Sequence, residues 1–312
     1  MKLQKKLLAL LTCTAMLFSV TACSSGEKTK PEEKEETQTT QAVLEGVTAQ
    51  NYPRVDGSTA NMPLMSAVYS KICGVPLEKA EDLVQAKGTA ESWRGLSYGE
   101  SDLLLVYEAP ETVKQEIAAS ETKLEAIPIG KDALVFLVNA KNTVNGLTQD
   151  QLRDIYTGKL TDWKQVGGEA GPIAPFQRNE ESGSQTMFLK LLMKDTKPMV
   201  PKTELVQGFM GSLIDGVASY DGSGGAMGYS VFYYANEMNS NPNLKLLAVD
   251  GVEPSAKSIA DSSYPLVNEF FVVIRQDEPK DSPARLLRDW LLTDAGDKVL
   301  TEAGYVPVPR KG

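Results

Sequence analysis

The sequence contains no histidine among its 312 residues. This excludes Ser-His-Asp and Cys-His catalysis, histidine-ligated zinc and imidazole acid–base chemistry. Only three cysteines are present, too few for a disulfide scaffold or a four-cysteine metal site. Aromatic residues make up 7% of the chain, which leaves few platforms for stacking sugars. The formal charge of −9 argues against nucleic-acid binding, and we expect no metal and no cofactor.

The N-terminal segment has the pattern of an export signal. Lysines precede an apolar run over residues 7–20, which is too short to span a bilayer comfortably. The run ends in V-T-A-C at residues 20–23, and in this the sequence resembles a secreted bacterial lipoprotein. The resemblance implies a signal peptide over residues 1–22 and acylation of Cys23. The alternative is an ordinary secretory signal with a chance cysteine.

The segment that follows is polar and rich in Glu, Lys, Thr, Ser and Gln. Such a segment cannot bury enough apolar surface to offset the entropy lost on ordering. We therefore expect a flexible, lipid-anchored tether over residues 23–50. It would hold a globular body at the outer face of the cell membrane, anchored there and not embedded.

From residue 51 onward, strand-like and helix-like patterns alternate. Short apolar runs predict buried strands at residues 103–106, 133–138, 244–249 and 270–274. Helix signals follow Pro110, Thr148 and Ser282. This alternation predicts an α/β fold, in a body long enough for one domain or two.

Three clusters of glycine and hydroxyl residues are candidate ligand sites. The first is D-G-S-T-A at residues 56–60, which precedes an apolar helical pattern with Pro63 in its opening turn. Gly57, Ser58 and Thr59 would then lie at a helix N-terminus and offer N–H groups and hydroxyls to an anion. A plain N-cap is the alternative.

The second cluster adds a positive charge. Ser182 and Gln185 form a capping box, so Ser184 would lie in the first turn of a helix. Arg178 lies four residues upstream and can reach over the helix start. A guanidinium fork beside N-terminal amides and hydroxyls makes a strong oxyanion site. The alternative is a solvated arginine beside a capped helix.

The third cluster is G-S-G-G-A-M-G-Y at residues 222–229. It matches neither the dinucleotide-binding glycine motif nor a phosphate-binding P-loop. Its glycines would let the backbone approach a ligand or a neighbouring element closely, and a plain turn is equally consistent.

Together these motifs resemble the phosphate-binding lipoproteins of ABC transporters, which have the type II periplasmic-binding-protein fold. The resemblance also includes L-T-x-x-Q-L-x-x-I-Y-x-G-K-L-T-D-W at residues 147–163, and it extends from residue 51 to the C-terminus. It implies two α/β lobes joined by two crossovers, with a hinge and a ligand cleft. Lobe one would comprise residues 51–138 and 233–312, and lobe two residues 139–232.

The resemblance also implies which residues hold the ligand. The expected phosphate contacts are Ser58, Thr59, Arg178, Ser182, Gly183 and Ser184. Glu108 stands where members of the family place an aspartate that accepts the phosphate proton, although it could instead cap the helix after Pro110. Asp56 is the second candidate for this acceptor. Further candidate contacts are Asp56, Gly57, Ser223 and Gly224.

We do not expect an enzyme. No G-x-S-x-G motif occurs, and an S-x-x-K match at residues 120–123 lacks its partner motifs. The expected function is a monomeric extracytoplasmic receptor that captures inorganic phosphate and delivers it to ABC permease subunits. Three alternatives stay open, namely a receptor for another oxyanion, a receptor for a phosphorylated metabolite, and a surface signalling module that keeps the fold without transport.

Overall fold

The computed structural model describes residues 43–220 and 224–310. In these residues strands and helices alternate along the chain, as predicted for an α/β fold. The strands are β1 Val55–Gly57, β2 Leu103–Val106, β3 Leu124–Asn139, β4 Gly146–Leu147, β5 Ala174–Pro175, β6 Gln177–Arg178, β7 Val206–Gln207, β8 Ala226–Val231, β9 Leu244–Leu246, β10 Ala248–Val249, β11 Val267–Arg275 and β12 Val306–Pro307. The α-helices are α1 Met62–Cys73, α2 Leu77–Leu83, α3 Thr89–Ser97, α4 Glu111–Ala119, α5 Gln149–Tyr156, α6 Gly183–Met187, α7 Met210–Ser219, α8 Ala256–Ala260, α9 Pro283–Leu291 and α10 Asp294–Glu302.

The long strand β3 joins two halves of one sheet. Its residues 124–133 pair antiparallel with β11, which in turn pairs with β2 and through it with β1. Its residues 134–139 pair instead with β8 and β9, and β5 extends the sheet beyond β8. The strand order is therefore β1-β2-β11-β3-β8-β5. Because β3 changes partners within one continuous strand, it is the structural link between the two half-sheets.

The predicted elements match the observed ones closely. The run at residues 103–106 is β2, and the runs at 133–138 and 270–274 lie within β3 and β11. The run at 244–249 is divided into β9 and β10. Helix α5 begins with the predicted capping box of Thr148, and α9 begins at Pro283 after Ser282. These starts were predictable because capping depends on residues close in sequence.

The packed body begins earlier than the sequence predicted. Val47 is only 1% exposed and belongs to the main hydrophobic core. The Asn51 side chain closes the preceding turn, since its Oδ1 accepts a hydrogen bond from Thr48 N and its Nδ2 donates to Gly46 O. The predicted tether over residues 23–50 is therefore too long at its C-terminal end. Its earlier part and the predicted lipidation site Cys23 lie outside the described residues.

No helix in the described ranges has the length and apolar character that a bilayer crossing requires.

Candidate oxyanion site

Two of the three glycine–hydroxyl clusters meet at one cavity of about 520 Å³. The first wall of this cavity is formed by Ser58 and Thr59, which follow β1. The second wall is formed by Arg178 at the end of β6 and by the start of α6. The predicted ligand residues that line the cavity are Ser58, Thr59, Arg178, Ser182, Gly183 and Ser184.

Ser58 is held between three elements. It precedes a short 3₁₀ turn that leads into α1, yet its hydroxyl makes no capping hydrogen bond there. Its Oγ lies 2.8 Å from Thr89 Oγ1 and accepts a hydrogen bond from Tyr107 N at 3.1 Å. The plain N-cap alternative is therefore wrong. The next residue, Thr59, is exposed and lines the cavity.

Thr89 is a cavity residue that the sequence analysis missed. It is buried, begins α3 and completes the first wall beside Ser58. The residue before it, Gly88, has φ of 93°, a backbone conformation that favours glycine. The sequence K-G-T-A at residues 87–90 carries the same signal as the other clusters, a glycine and a hydroxyl before a helix, and could have been recognised on that ground.

The helix start on the second wall is tied to the neighbouring strands. Ser182 Oγ accepts a hydrogen bond from Gln185 N at 3.1 Å, so half of the predicted capping box is present. The Gln185 side chain is engaged elsewhere, because its Oε1 accepts a hydrogen bond from Tyr229 OH. The Tyr229 hydroxyl in turn accepts a hydrogen bond from Arg178 N at 3.0 Å. Strand β8 therefore fixes the relative positions of Arg178 and the start of α6.

The Arg178 side chain is 8% exposed and is held by neutral groups. Its Nε and Nη2 donate hydrogen bonds to the carbonyl oxygens of Gln207 and Gly208, at 3.1 and 3.0 Å. Its Nη1 lies 3.3 Å from Ser184 Oγ. No carboxylate of the described residues forms an ion pair with it, and burial lowers the pKa of Arg178. A buried charge without a counterion is costly, so this cavity favours an anion.

Glu108 is not at this cavity. Its carboxylate accepts hydrogen bonds from Lys114 Nζ, at 2.6 Å, and from Lys190 Nζ, and it lines a different cavity with both lysines. Burial acts to raise the pKa of Glu108, but the hydrogen bonds from Lys114 and Lys190 outweigh it and lower the pKa. The prediction that Glu108 accepts the phosphate proton is therefore wrong, because both oxygens of its carboxylate accept hydrogen bonds from lysines. The capping alternative fails too, since α4 has no side-chain cap.

Asp56 and Gly57 serve the scaffold instead of the cavity. Asp56 is buried, and its Oδ1 accepts hydrogen bonds from the backbone N–H groups of Gly57 and Lys87 and from Ser92 Oγ, all within 3.0 Å. A Cβ on Gly57 would overlap the carbonyl oxygen of Leu105, so glycine is required where β1 pairs with β2. Neither residue lines the cavity that contains Ser58.

The third cluster lies at another place in the fold. Gly224 O accepts a hydrogen bond from Asn142 Nδ2 at 3.0 Å, and Trp163 Nε1 donates to Gly225 O at 3.0 Å. These residues line a separate small cavity. Gly224 is therefore a packing residue and not a ligand contact of the candidate site. Ser223 lies outside the described residues.

A buried carboxylate lies behind the first wall. Asp132 of β3 is 2% exposed, and its Oδ2 accepts a hydrogen bond at 2.6 Å from the hydroxyl of Tyr107, a cavity residue. Its Oδ1 accepts from Ala133 N and Tyr233 N, at 2.7 and 3.2 Å. Burial raises the pKa of Asp132 to about 6, although these hydrogen bonds act to lower it. Among the residues that the structure describes, no cluster of His, Cys, Asp or Glu could hold a metal ion.

Comparison with known proteins identifies the family. The sequence profile of the PBP superfamily domain matches residues 36–294. The chain belongs to the PBP superfamily. It is 24% identical, over 98% of its length, to the phosphate-binding protein PstS of Bacillus subtilis, and the match covers 95% of that protein. It is 26% identical to the protein SphX of Synechococcus elongatus, over 82% of this chain and 77% of that one.

Solved structures share the fold. A substrate-binding protein of Clostridium perfringens with bound phosphate is 23% identical, with a TM-score of 0.64 over 82% of this chain and 98% of its own. An ABC-type phosphate transport receptor of Vibrio cholerae is 24% identical, with a TM-score of 0.59 over 84% of this chain and 100% of its own. The predicted type II periplasmic-binding-protein fold is therefore confirmed.

The variant Asp132→Asn should flatten the pH dependence of stability. The pKa of Asp132 is about 6 in the folded protein and 3.8 ordinarily, so folding favours its neutral form. The stability that this preference contributes is fully present below pH 3.8 and is lost as the pH rises through 6, by about 3 kcal/mol at most. Asparagine keeps one oxygen for the two backbone amides and never ionises.

Urea unfolding from about pH 4 to about pH 7 measures this effect. The free energy of unfolding of the variant, relative to the wild type, should rise across this range. The variant Asp82→Asn, at an exposed position of α2, is the control and should show no such rise. Parallel curves for Asp132→Asn and the wild type would contradict the assignment.

Proposed function

We propose that this protein is an extracytoplasmic receptor that captures inorganic phosphate for an ABC transporter and catalyses no reaction. The observation that carries the proposal is the buried Arg178 guanidinium, which lines the cavity without a carboxylate partner among the described residues. A relative whose similarity extends over nearly the whole chain is named a phosphate-binding protein, and this supports the same function.

The donors around the cavity suit a tetrahedral oxyanion. Arg178 offers charge-assisted hydrogen bonds, each worth roughly 1.5–3 kcal/mol. Hydroxyl groups come from both walls, and the first residues of α6 and α7 line the cavity at the positive ends of their helix dipoles. An anion with oxygens on all sides can accept hydrogen bonds from both walls at once, so its binding would draw the walls together.

The two walls belong to different lobes in this proposal. Lobe one comprises residues 51–138 and 233–312, and lobe two residues 139–232, with closure about the strands that join them. Strand β9 pairs with β3 and strand β10 pairs with β4, so residues 244–249 lie beside strands near the first boundary between the lobes. This pairing favours a second boundary that lies later in the chain than residue 232.

The hydroxyl groups of the site are arranged for binding and not for catalysis. A nucleophilic serine needs a general base within hydrogen-bond reach. Ser58 Oγ instead contacts Thr89 Oγ1, and Ser184 Oγ contacts Ser182 Oγ at 3.2 Å. Each of these four hydroxyls therefore has another hydroxyl as a partner and no general base, which supports a binding protein.

Replacing Arg178 should weaken phosphate binding. Loss of one charge-assisted hydrogen bond removes at least about 1.4 kcal/mol, so Arg178→Ala should raise the Kd by tenfold or more. Arg178→Lys should restore binding only in part, because lysine lacks the planar fork. Arg153→Ala is the control, since Arg153 does not line the cavity. Calorimetric titration measures all three, and an unchanged Kd in Arg178→Ala would remove Arg178 from the site.

We further propose that a lipid anchor at Cys23 holds the protein at the membrane, and V-T-A-C at residues 20–23 supports this anchor. At the membrane the receptor would act as a monomer, with the permease subunits as its partners. Cys23→Ala should release the protein from the membrane fraction, whereas Cys13→Ala should leave its location unchanged. Intact-mass analysis of the membrane-bound protein should show an acylated cysteine at the N-terminus, and an unmodified Cys23 would end this part of the proposal.

A second candidate is a receptor for a phosphorylated metabolite, favoured by the size of the cavity. A volume of about 520 Å³ falls within the roughly 300–1,000 Å³ of sites for larger organic ligands. One lining residue, Phe209, is 80% exposed and could cover an organic group. Under this candidate, phenyl phosphate should bind about tenfold more tightly than inorganic phosphate, and Phe209→Ala should abolish the difference. Tighter binding of inorganic phosphate would exclude it.

A further inference from the structure

Two ion pairs join the two lobes of the proposed receptor. One is formed by Arg94 of lobe one and Glu181 of lobe two, whose Nη2 and Oε1 atoms lie 2.8 Å apart. The other is formed by Glu108 of lobe one and Lys190 of lobe two. Every other ion pair in the part of the chain that the structure describes lies within a single lobe.

The two interlobe ion pairs lie at opposite ends of α6, the helix whose start lines the cavity. Glu181 comes just before this helix in the chain and Lys190 just after it. The helix start also approaches lobe one closely, because a Cβ on Gly183 would lie 2.5 Å from Thr89 Oγ1. The lobes are therefore in contact along α6, with one ion pair near each end of this contact.

Arg94 is held in place by other residues of lobe one. Its Nη1 lies 2.6 Å from Glu91 Oε1, and its Nε lies 2.7 Å from Glu116 Oε2. The Arg94 side chain is 20% exposed, whereas that of Glu181 is 50% exposed. If the lobes separated, Arg94 would keep two carboxylate partners, and only Glu181 would have to exchange its partner for water.

Glu108 has the same arrangement with the charges reversed. Its Oε1 accepts a hydrogen bond at 2.6 Å from Lys114 of lobe one, and its Oε2 accepts one from Lys190 of lobe two. The Glu108 side chain is 23% exposed and that of Lys190 is 51% exposed. Lobe one thus offers a fixed cation near one end of α6 and a fixed anion near the other. Because a misplaced α6 would lose these matches of charge, the pairs also favour one relative position of the lobes.

We propose that the two interlobe ion pairs hold the lobes closed around the ligand, so that Glu181 and Lys190 set the strength of anion binding without contacting the anion. This inference rests on the proposed function. Contacts that favour the closed state raise the fraction of the protein that is competent to bind, and so lower the apparent Kd. Ion pairs with exposed members contribute a factor of roughly two to five each, and separate pairs contribute independently.

Glu181 distinguishes this role from a plain effect of charge. Its carboxylate lines a cavity that favours an anion, so on charge alone its removal should strengthen anion binding. As a member of an interlobe ion pair, its removal should weaken binding. The two effects have opposite signs. The neighbouring Glu180 is the matched control, because it carries the same charge, is exposed and does not line the cavity.

The test is calorimetric titration of the full-length protein with inorganic phosphate. Glu181→Gln should raise the Kd about threefold relative to Glu180→Gln. Lys190→Gln should raise it by a similar factor relative to Lys197→Gln, a change at an exposed lysine of the same lobe. The variant with both interlobe changes should have a Kd about tenfold above that of the variant with both control changes. A Kd in Glu181→Gln equal to or below that in Glu180→Gln would overturn the inference.

Small-angle X-ray scattering without ligand separates this inference from the proposed function. A wild type that binds no phosphate would contradict the proposed function, and scattering would then decide on the ion pairs alone. The radius of gyration of the variant with both interlobe changes should exceed that of the wild type, because fewer contacts hold the lobes together. Equal radii in that case would overturn the inference.

Discussion

The constraint on which the site depends is a buried positive charge that the described part of the chain leaves without a counterion. Arg178 is surrounded by carbonyl oxygens, a hydroxyl and a thioether, and these fix its direction without neutralising it. Removing a guanidinium from water costs free energy that neutral acceptors recover only in part. Under the proposed function, an anion in the cavity would supply the missing charge. Ligand binding should therefore also stabilise the fold, by mass action on the native state.

The position of that charge depends in turn on the strand that links the two half-sheets. Ala133 of β3 pairs with β11, and the next residue, Leu134, pairs with β8. Asp132 lies at this change of partners. Its carboxylate joins Tyr107, which lines the cavity, to the backbone of Tyr233, just after β8. A bend of β3 here would move one wall of the cavity relative to the other. The buried carboxylate therefore connects the geometry of the cavity to the link between the half-sheets.

Local signals in the sequence were sufficient for much of the fold and for part of the site. Helix starts and buried strands follow from residues close in sequence, which is why Ser58, Thr59 and residues 182–184 could be predicted. Glu108 was misjudged because one of its partners, Lys190, is distant in sequence and close only in the fold. For Gly224 the sequence left a ligand contact and a plain turn equally open, because its partner Asn142 lies 82 positions away in the sequence and is close only in the fold. Thr89 was missed although its local signal was present.

The net charge of the chain and the charge of the buried Arg178 have opposite signs. The chain carries a formal charge of −9, which opposes the approach of an anion at long range. Salt screens this repulsion beyond about 8 Å at physiological ionic strength. At the cavity rim Arg94 binds the carboxylates of Glu91, Glu116 and Glu181. The buried charge of Arg178, in contrast, has no carboxylate partner among the described residues. Under the proposed function, an anion would therefore bind through the buried charge of Arg178 despite the overall excess of acidic residues.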